Sequence, residues 1–174
     1  KHYLQVLSSD IGLDKVKEKV ARPLTGLKAA AFYGCHLLKP SSTLKVDDPE
    51  DPVILDELIR RTGAESLPYA HRLKCCGGLL RGVNDEIASK LAREKLFNIS
   101  KAGADCIVTI CPFCFLQLDI GQLEVNRVFK ESYAIPVLHY PELLGLAMGM
   151  KPEELGLNTH KIHVDGVLKR RGLY

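Results

Sequence analysis

At 174 residues, 46% of them apolar, the chain is long enough to bury a sizeable core without covalent staples. Its 24 Lys and Arg against 21 Asp and Glu give a net charge of +3, scattered apart from Lys169-Arg170-Arg171 and without any Trp. That pattern argues against the clustered basic face of a nucleic-acid binder. No apolar run reaches the roughly 18–20 residues of a membrane span, and no signal peptide follows Lys1. The expectation is a soluble, cytoplasmic chain.

Residues 3–20 set Leu4, Leu7, Ile11 and Leu13 among charges. A helix is expected to start at Asp10 or Gly12, run through Val16 and Val20, and stop at Arg22-Pro23, because the residue before proline is pushed out of the helical region. Leu27 to Tyr33 reads as a buried parallel strand, an apolar run broken only by Lys28 and ended by Gly34. Residues 38–52, with three prolines and three aspartates, read as a long loop. Asp51 as N-cap and Pro52 as first helical residue then open a helix over 53–62, with Ile54, Leu55, Leu58 and Ile59 on its inner face. A short strand near Glu65 to Leu67 follows.

Residues 85–102 predict an amphipathic helix with Ile87, Leu91, Leu96 and Ile99 inside and Gly103 as its stop. Asp105 to Ile110 is the most strand-like run in the chain, and it leads into a helix over 112–118. A last strand over 136–139 and a helix over 141–150 complete the pattern. Alternating strands and helices predict an α/β fold with a mostly parallel sheet flanked by helices.

Six cysteines in a reducing compartment point to metal binding or redox chemistry rather than disulfides. Five of them lie in three segments, Tyr33-Gly34-Cys35-His36, Lys74-Cys75-Cys76-Gly77-Gly78 and Cys111-Pro112-Phe113-Cys114. Cys35 and Cys111 each follow a predicted strand, so the ligands fall on loops at the strand C-terminal edge, where α/β sheets gather their sites. Cys111 and Cys114 open a helix, whose free N–H groups lower thiol pKa. Gly34, Gly77 and Gly78 let backbone approach an inorganic core and donate to it.

Thiolate softness fits zinc and iron–sulfur equally. The adjacent pair Cys75–Cys76 favours a cluster, which accepts ligands pointing to different sides, and a single zinc needs only four. Cys106, inside its strand, reads as core filler. His36 is assigned a proton or a hydrogen bond at the site, with a plain loop histidine as the equal alternative. His139 reads as structural.

With these residues assembled, the chain resembles the CCG cysteine-rich domain found in the B subunit of heterodisulfide reductase, in particular its C-terminal copy. The pattern is one Cys, a gap of 39 residues, Cys-Cys-Gly, a gap of 34, and Cys-x-x-Cys. The likeness extends to Asp47-Asp48-Pro49-Glu50, Cys106-Ile107-Val108-Thr109, Pro136-Val137-Leu138 and Glu142-Leu143-Leu144-Gly145-Leu146, and covers about residues 1–160. It implies one such domain over 1–174, with a helical extension at 1–26 and a C-terminal extension at 151–174.

The resemblance also implies a non-cubane 4Fe–4S cluster on Cys35, Cys75, Cys76, Cys111 and Cys114, with zinc possible in aerobically prepared protein. It further implies reduction of a disulfide of the coenzyme M–coenzyme B type. Electrons would come from a partner iron–sulfur subunit, and a second CCG module or subunit would complete the assembly. A non-catalytic electron relay and a zinc-stabilised structural domain are the alternatives.

Overall fold

The computed structural model describes residues 1–173. In chain order the elements are α1 (Tyr3–Gln5), a wide turn of π-helix (Val6–Gly12), α2 (Leu13–Glu18), β1 (Lys28–Phe32), α3 (Cys35–Leu38) and α4 (Ser41–Leu44). Then come α5 (Ile54–Arg61), β2 (Glu65–Ser66), α6 (Asp85–Lys101), β3 (Cys106–Thr109), α7 (Pro112–Phe129), β4 (Val137–His139), α8 (Tyr140–Ala147) and α9 (Asp165–Arg170). The four strands form one parallel sheet in the order β2-β1-β3-β4. Neighbours are linked by helical crossovers, as parallel pairing requires.

Strand alternation decides which helix covers which face. Ala29, Ala31, Tyr33, Cys106, Val108 and Leu138 point to one side, into a core shared with Leu55, Leu58 and Ile59 of α5 and Leu143 and Leu146 of α8. Leu4 and Val16 from the N-terminal helices and Val167, Leu168 and Leu173 from the C-terminal segment join the same core. Ala30, Phe32, Ile107 and Val137 point to the other side, where α6 contributes Ala92, Leu96 and Ile99 and α7 contributes Leu118 and Val125.

Four local expectations are corrected. Residues 38–52 are not loop throughout: α4 forms a single turn at Ser41–Leu44. Helix α5 does not begin at Pro52 with Asp51 as its cap. Instead the Asp47 carboxylate accepts from the N–H groups of Val53 (2.8 Å) and Ile54 (2.7 Å), capping the helix from outside its own turn. Asp51 pairs with Arg72 at 2.6 Å.

Helix α7 runs eleven residues beyond the expected end at 118, to Phe129. Asp119 and Gly121 look like breakers in sequence, but each has a tertiary reason to be there. The buried Asp119 carboxylate accepts from the N–H groups of Lys161 (2.8 Å) and Ile162 (2.9 Å), tethering the C-terminal segment. Gly121 lies under the Arg81 guanidinium, where a Cβ would come within 3.1 Å of it. In α6, Ile87 is exposed, and the inner stripe is Ala88, Ala92, Lys95, Leu96 and Ile99. Among the described residues no helix is long and apolar enough to cross a membrane.

Candidate metal centre

The central strands β1 and β3 run side by side, with Ala29 to Phe32 in register with Cys106 to Thr109. Both release their chains at the same edge of the sheet. Beyond β1 the chain turns through Tyr33 and Gly34 into Cys35, the first residue of α3. Beyond β3 it passes Ile110 to Cys111, the N-cap of α7, with Pro112 in the first turn where its missing N–H costs nothing. Residues 76 positions apart in sequence thus meet. The Cys75–Cys76 loop reaches the same edge from the far side of β2.

All five thiols of the sequence pattern come together there. Cys76 and Cys114 are buried and share a hydrogen across 3.4 Å. Cys35 lies within hydrogen-bond reach of Cys75, which precedes Cys76 in the chain, and Cys114 within reach of Cys111, so the five thiols form a continuous row from Cys35 through Cys75 and Cys76 to Cys114 and Cys111. The row is open at one end: Cys75 is exposed, while Cys35 and Cys111 are half-buried. Among the described residues no three His, Cys, Asp or Glu side chains close around a single metal ion. Cys106 lies within β3 with no exposed surface, and burial pushes its thiol pKa up.

The electrostatics differ along the row. The hydrogen bond shared with Cys114 pulls Cys76 down to about 6 despite its burial, aided by the Gly78 N–H and the Lys95 charge. The same hydrogen bond, and burial after it, push Cys114 up. Burial, then the neighbouring Cys75 and Cys76, raise Cys35. Backbone donors reach the sulfurs directly, Gly77 N–H to Cys75 Sγ at 3.3 Å and Gly78 N–H to Cys76 Sγ at 3.4 Å.

Glycine is required at two places in this site. At Gly34 φ is +72°, and a Cβ would stand 3.1 Å from Cys111 Cβ and 3.4 Å from Cys114 Sγ. At Gly77 φ is +83°, and a Cβ would meet the Ala88 carbonyl oxygen at 2.8 Å. Gly34→Ala is expected to cost about 1–2 kcal/mol from the left-handed backbone alone and to crowd the space between the thiols. Thermal melting of the metal-free chain reads the first effect, and iron uptake after anaerobic reconstitution reads the second.

Residues outside the thiol pattern hold the loops in place. Asp56, buried in α5, accepts from the Tyr33 hydroxyl and the Ser66 hydroxyl at 2.6 Å each and from Arg72 at 3.4 Å. One carboxylate thus joins the strand that leads to Cys35 to the segment that leads to Cys75. On the other face of the sheet, the buried Lys95 ammonium donates to the carbonyls of His71 (2.5 Å) and Arg72 (3.1 Å). Burial draws its pKa down to about 8, against the opposing pull of Cys76 and Glu94.

Sequence reasoning missed both residues. For Lys95 a signal existed: it shares the phase of Ala88, Ala92 and Ile99, the buried stripe of α6. His36 is exposed on α3, and among the described residues its side chain makes no hydrogen bond. His139 caps α8 together with Glu142 and stacks on Phe115 at 4.8 Å. An apolar groove of about 420 Å³, lined in part by Gly78, Leu79, Phe113, Leu116 and Ile120, opens beside the thiols.

A parallel α/β layer that gathers five thiols from three loops at one strand edge defines a cysteine-rich, thiolate-presenting domain. The profile described as "Cysteine-rich domain" (CCG) matches residues 29–119, and the chain belongs to that family. It is 46% identical over 93% of its length to the B subunit of the ferredoxin:CoB-CoM heterodisulfide reductase of Methanosarcina mazei, covering 54% of that protein. It is 37% identical over 91% of its length to the 8-methylmenaquinol:fumarate reductase membrane anchor subunit of Wolinella succinogenes, covering 55% of it. The chain therefore spans about half the length of these relatives. A crystal structure of a hypothetical protein from Helicobacter pylori shares the fold, with a TM-score of 0.62 at 20% identity over 87% of this chain and 28% of that one.

Proposed function

We propose that the chain is the cluster-bearing part of an iron–sulfur oxidoreductase, of the kind formed by the B subunit of heterodisulfide reductase, working in the cytoplasm. The observation that carries this reading is the unbroken row of five thiols at one sheet edge. The donor set fits an iron–sulfur centre: it is all thiol, it includes an adjacent pair, and backbone N–H groups already point at two of the sulfurs. Cys35, Cys75, Cys76, Cys111 and Cys114 would hold it, as a non-cubane 4Fe–4S cluster. Bound there, the cluster supplies single electrons to a disulfide of the coenzyme M–coenzyme B type.

The chain's own residues do the rest. Gly34 keeps the space between the thiols clear, and Gly77 and Gly78 donate hydrogen bonds to the sulfurs. The groove beside Phe113 offers an apolar wall for an organic disulfide, and His36, next to Cys35 in the chain, is the candidate proton donor. A partner iron–sulfur subunit would deliver the electrons, and a second CCG module would complete the assembly, a reading supported by the chain's coverage of only 54% of its relative from Methanosarcina mazei. A pure electron-relay role is the second reading, favoured by the relative named for a menaquinol:fumarate reductase.

Anaerobic reconstitution followed by iron, acid-labile sulfide and electron paramagnetic resonance measurements tests the proposal. Iron and sulfide in equal amounts with a paramagnetic reduced state are expected. Zinc without sulfide in anaerobically purified protein would instead mean a structural metal. Disulfide turnover with an artificial electron donor separates the enzyme from the relay.

A further inference from the structure

Lys95 is 2% exposed, and among the described residues it forms no ion pair with a carboxylate. Its neighbour Glu94 is taken up by His71 and Lys74, both at 2.7 Å. What surrounds the ammonium is two backbone carbonyls, the face of Phe32 at 4.6 Å from the ring centroid, and that of Tyr69 at 5.7 Å. These contacts offset only part of the several kcal/mol that desolvating an ion costs. A Met at the same position would fill the space without that cost. The Phe32 and Tyr69 rings that face the ammonium pack in the same core cluster as Cys76 and Cys114, the two buried thiols of the row. The carbonyls that Lys95 binds lie in the turn that leads into Cys75 and Cys76.

We propose that Lys95 is a positioning residue with a second role. It pins the approach to the Cys75–Cys76 loop, and it stands as the fixed, water-shielded counter-charge to the anionic centre that the five thiols hold. The redox part of this inference rests on the iron–sulfur reading above. A thiolate-bound cluster gains negative charge when it is reduced, and the potential of such a centre follows the net charge around it. A cation held on the buried side favours the reduced state. The pinning role is carried by the two carbonyl bonds, and the redox role by the charge, so substitutions separate them. Gln keeps a donor and loses the charge, whereas Arg keeps both.

The test is a redox titration, followed by electron paramagnetic resonance, of anaerobically reconstituted wild-type chain, Lys95→Gln and Lys95→Arg. Melting curves of the metal-free proteins serve as the folding control. Lys95→Gln is expected to disfavour reduction at least tenfold, about 59 mV lower for a one-electron couple, while Lys95→Arg stays near wild type. Loss of cluster binding in Lys95→Gln alone would equally support a need for the charge. Where Lys95→Gln does not fold, Lys95→Met, which loses the donor with the charge, is titrated in its place: a potential about 59 mV lower supports the proposal, and an assembled cluster at unchanged potential overturns it.

An assembled cluster with unchanged potential in the Gln variant overturns the proposal and leaves the iron–sulfur reading standing. Loss of the cluster in both the Gln and Arg variants reduces Lys95 to a structural pin and overturns it too. A wild-type chain that takes up no iron and sulfide brings down the iron–sulfur reading, and the redox role of Lys95 with it.

Discussion

Cys76→Ser is expected to lower the iron and sulfide content of the anaerobically reconstituted chain by at least about tenfold, while shifting the stability of the metal-free protein by only about 1 kcal/mol. Cys76 is the link in the row: it touches Cys114 at 3.4 Å and adjoins Cys75, the partner of Cys35, in the chain. It is also the thiol already biased toward the thiolate, which is the form that binds metal. Serine is nearly isosteric, and its hydroxyl can still accept from the Gly78 N–H, so the fold has little reason to fail. Iron and acid-labile sulfide assays beside a thermal melt separate the two effects. An unchanged metal content would remove Cys76 from the ligand set. Cys106→Ser is the control: it lies outside the row, and its effect is confined to the core of β3.

The second large effect is expected at Asp56. Asp56→Ala strands the Tyr33 hydroxyl, the Ser66 hydroxyl and one arm of Arg72 at once. Removing one member of a buried charged network costs about 3–5 kcal/mol. For a chain of this size each kcal/mol moves the melting temperature by about 2–4 °C, so a fall on the order of 10 °C is expected in calorimetry or thermal circular dichroism. Ser66→Ala, which removes a single hydroxyl and leaves the carboxylate its other donors, should cost about 1 kcal/mol. Equal melting temperatures for Asp56→Ala and Ser66→Ala would show that the carboxylate does not organise the network.

The parallel sheet is legible in the sequence because three of its strands are short apolar runs punctuated by glycine or proline, and such runs have few other places to go. The meeting of Cys35 with Cys111 is legible as well, since adjacent parallel strands release their chains at a common edge. What stays hidden is tertiary in origin. Nothing local marks Asp47 as the cap of a helix that starts seven residues later, or Asp119 as an anchor for a segment some forty residues on. Local propensity reads an aspartate and a glycine inside α7 as an ending, and packing against Arg81 and residues 161–162 overrules it. Asp56 lies between Leu55 and Leu58 with no sequence hint that Tyr33 and Arg72 converge on it. Ile87 misleads because a large aliphatic residue at the first turn of a helix can face solvent while small alanines pack inside.

The strand order carries a consequence for how the polypeptide is made. Because β1 pairs on one side with β3, the middle of the sheet stays incomplete until residue 109 has left the ribosome. At roughly 5–20 residues per second, the 76 positions between Cys35 and Cys111 correspond to about 4–15 s of synthesis. For that interval Cys35, Cys75 and Cys76 lack the two later thiols that complete the row. On the iron–sulfur reading proposed above, a centre held by all five thiols can form only after translation has passed Cys114.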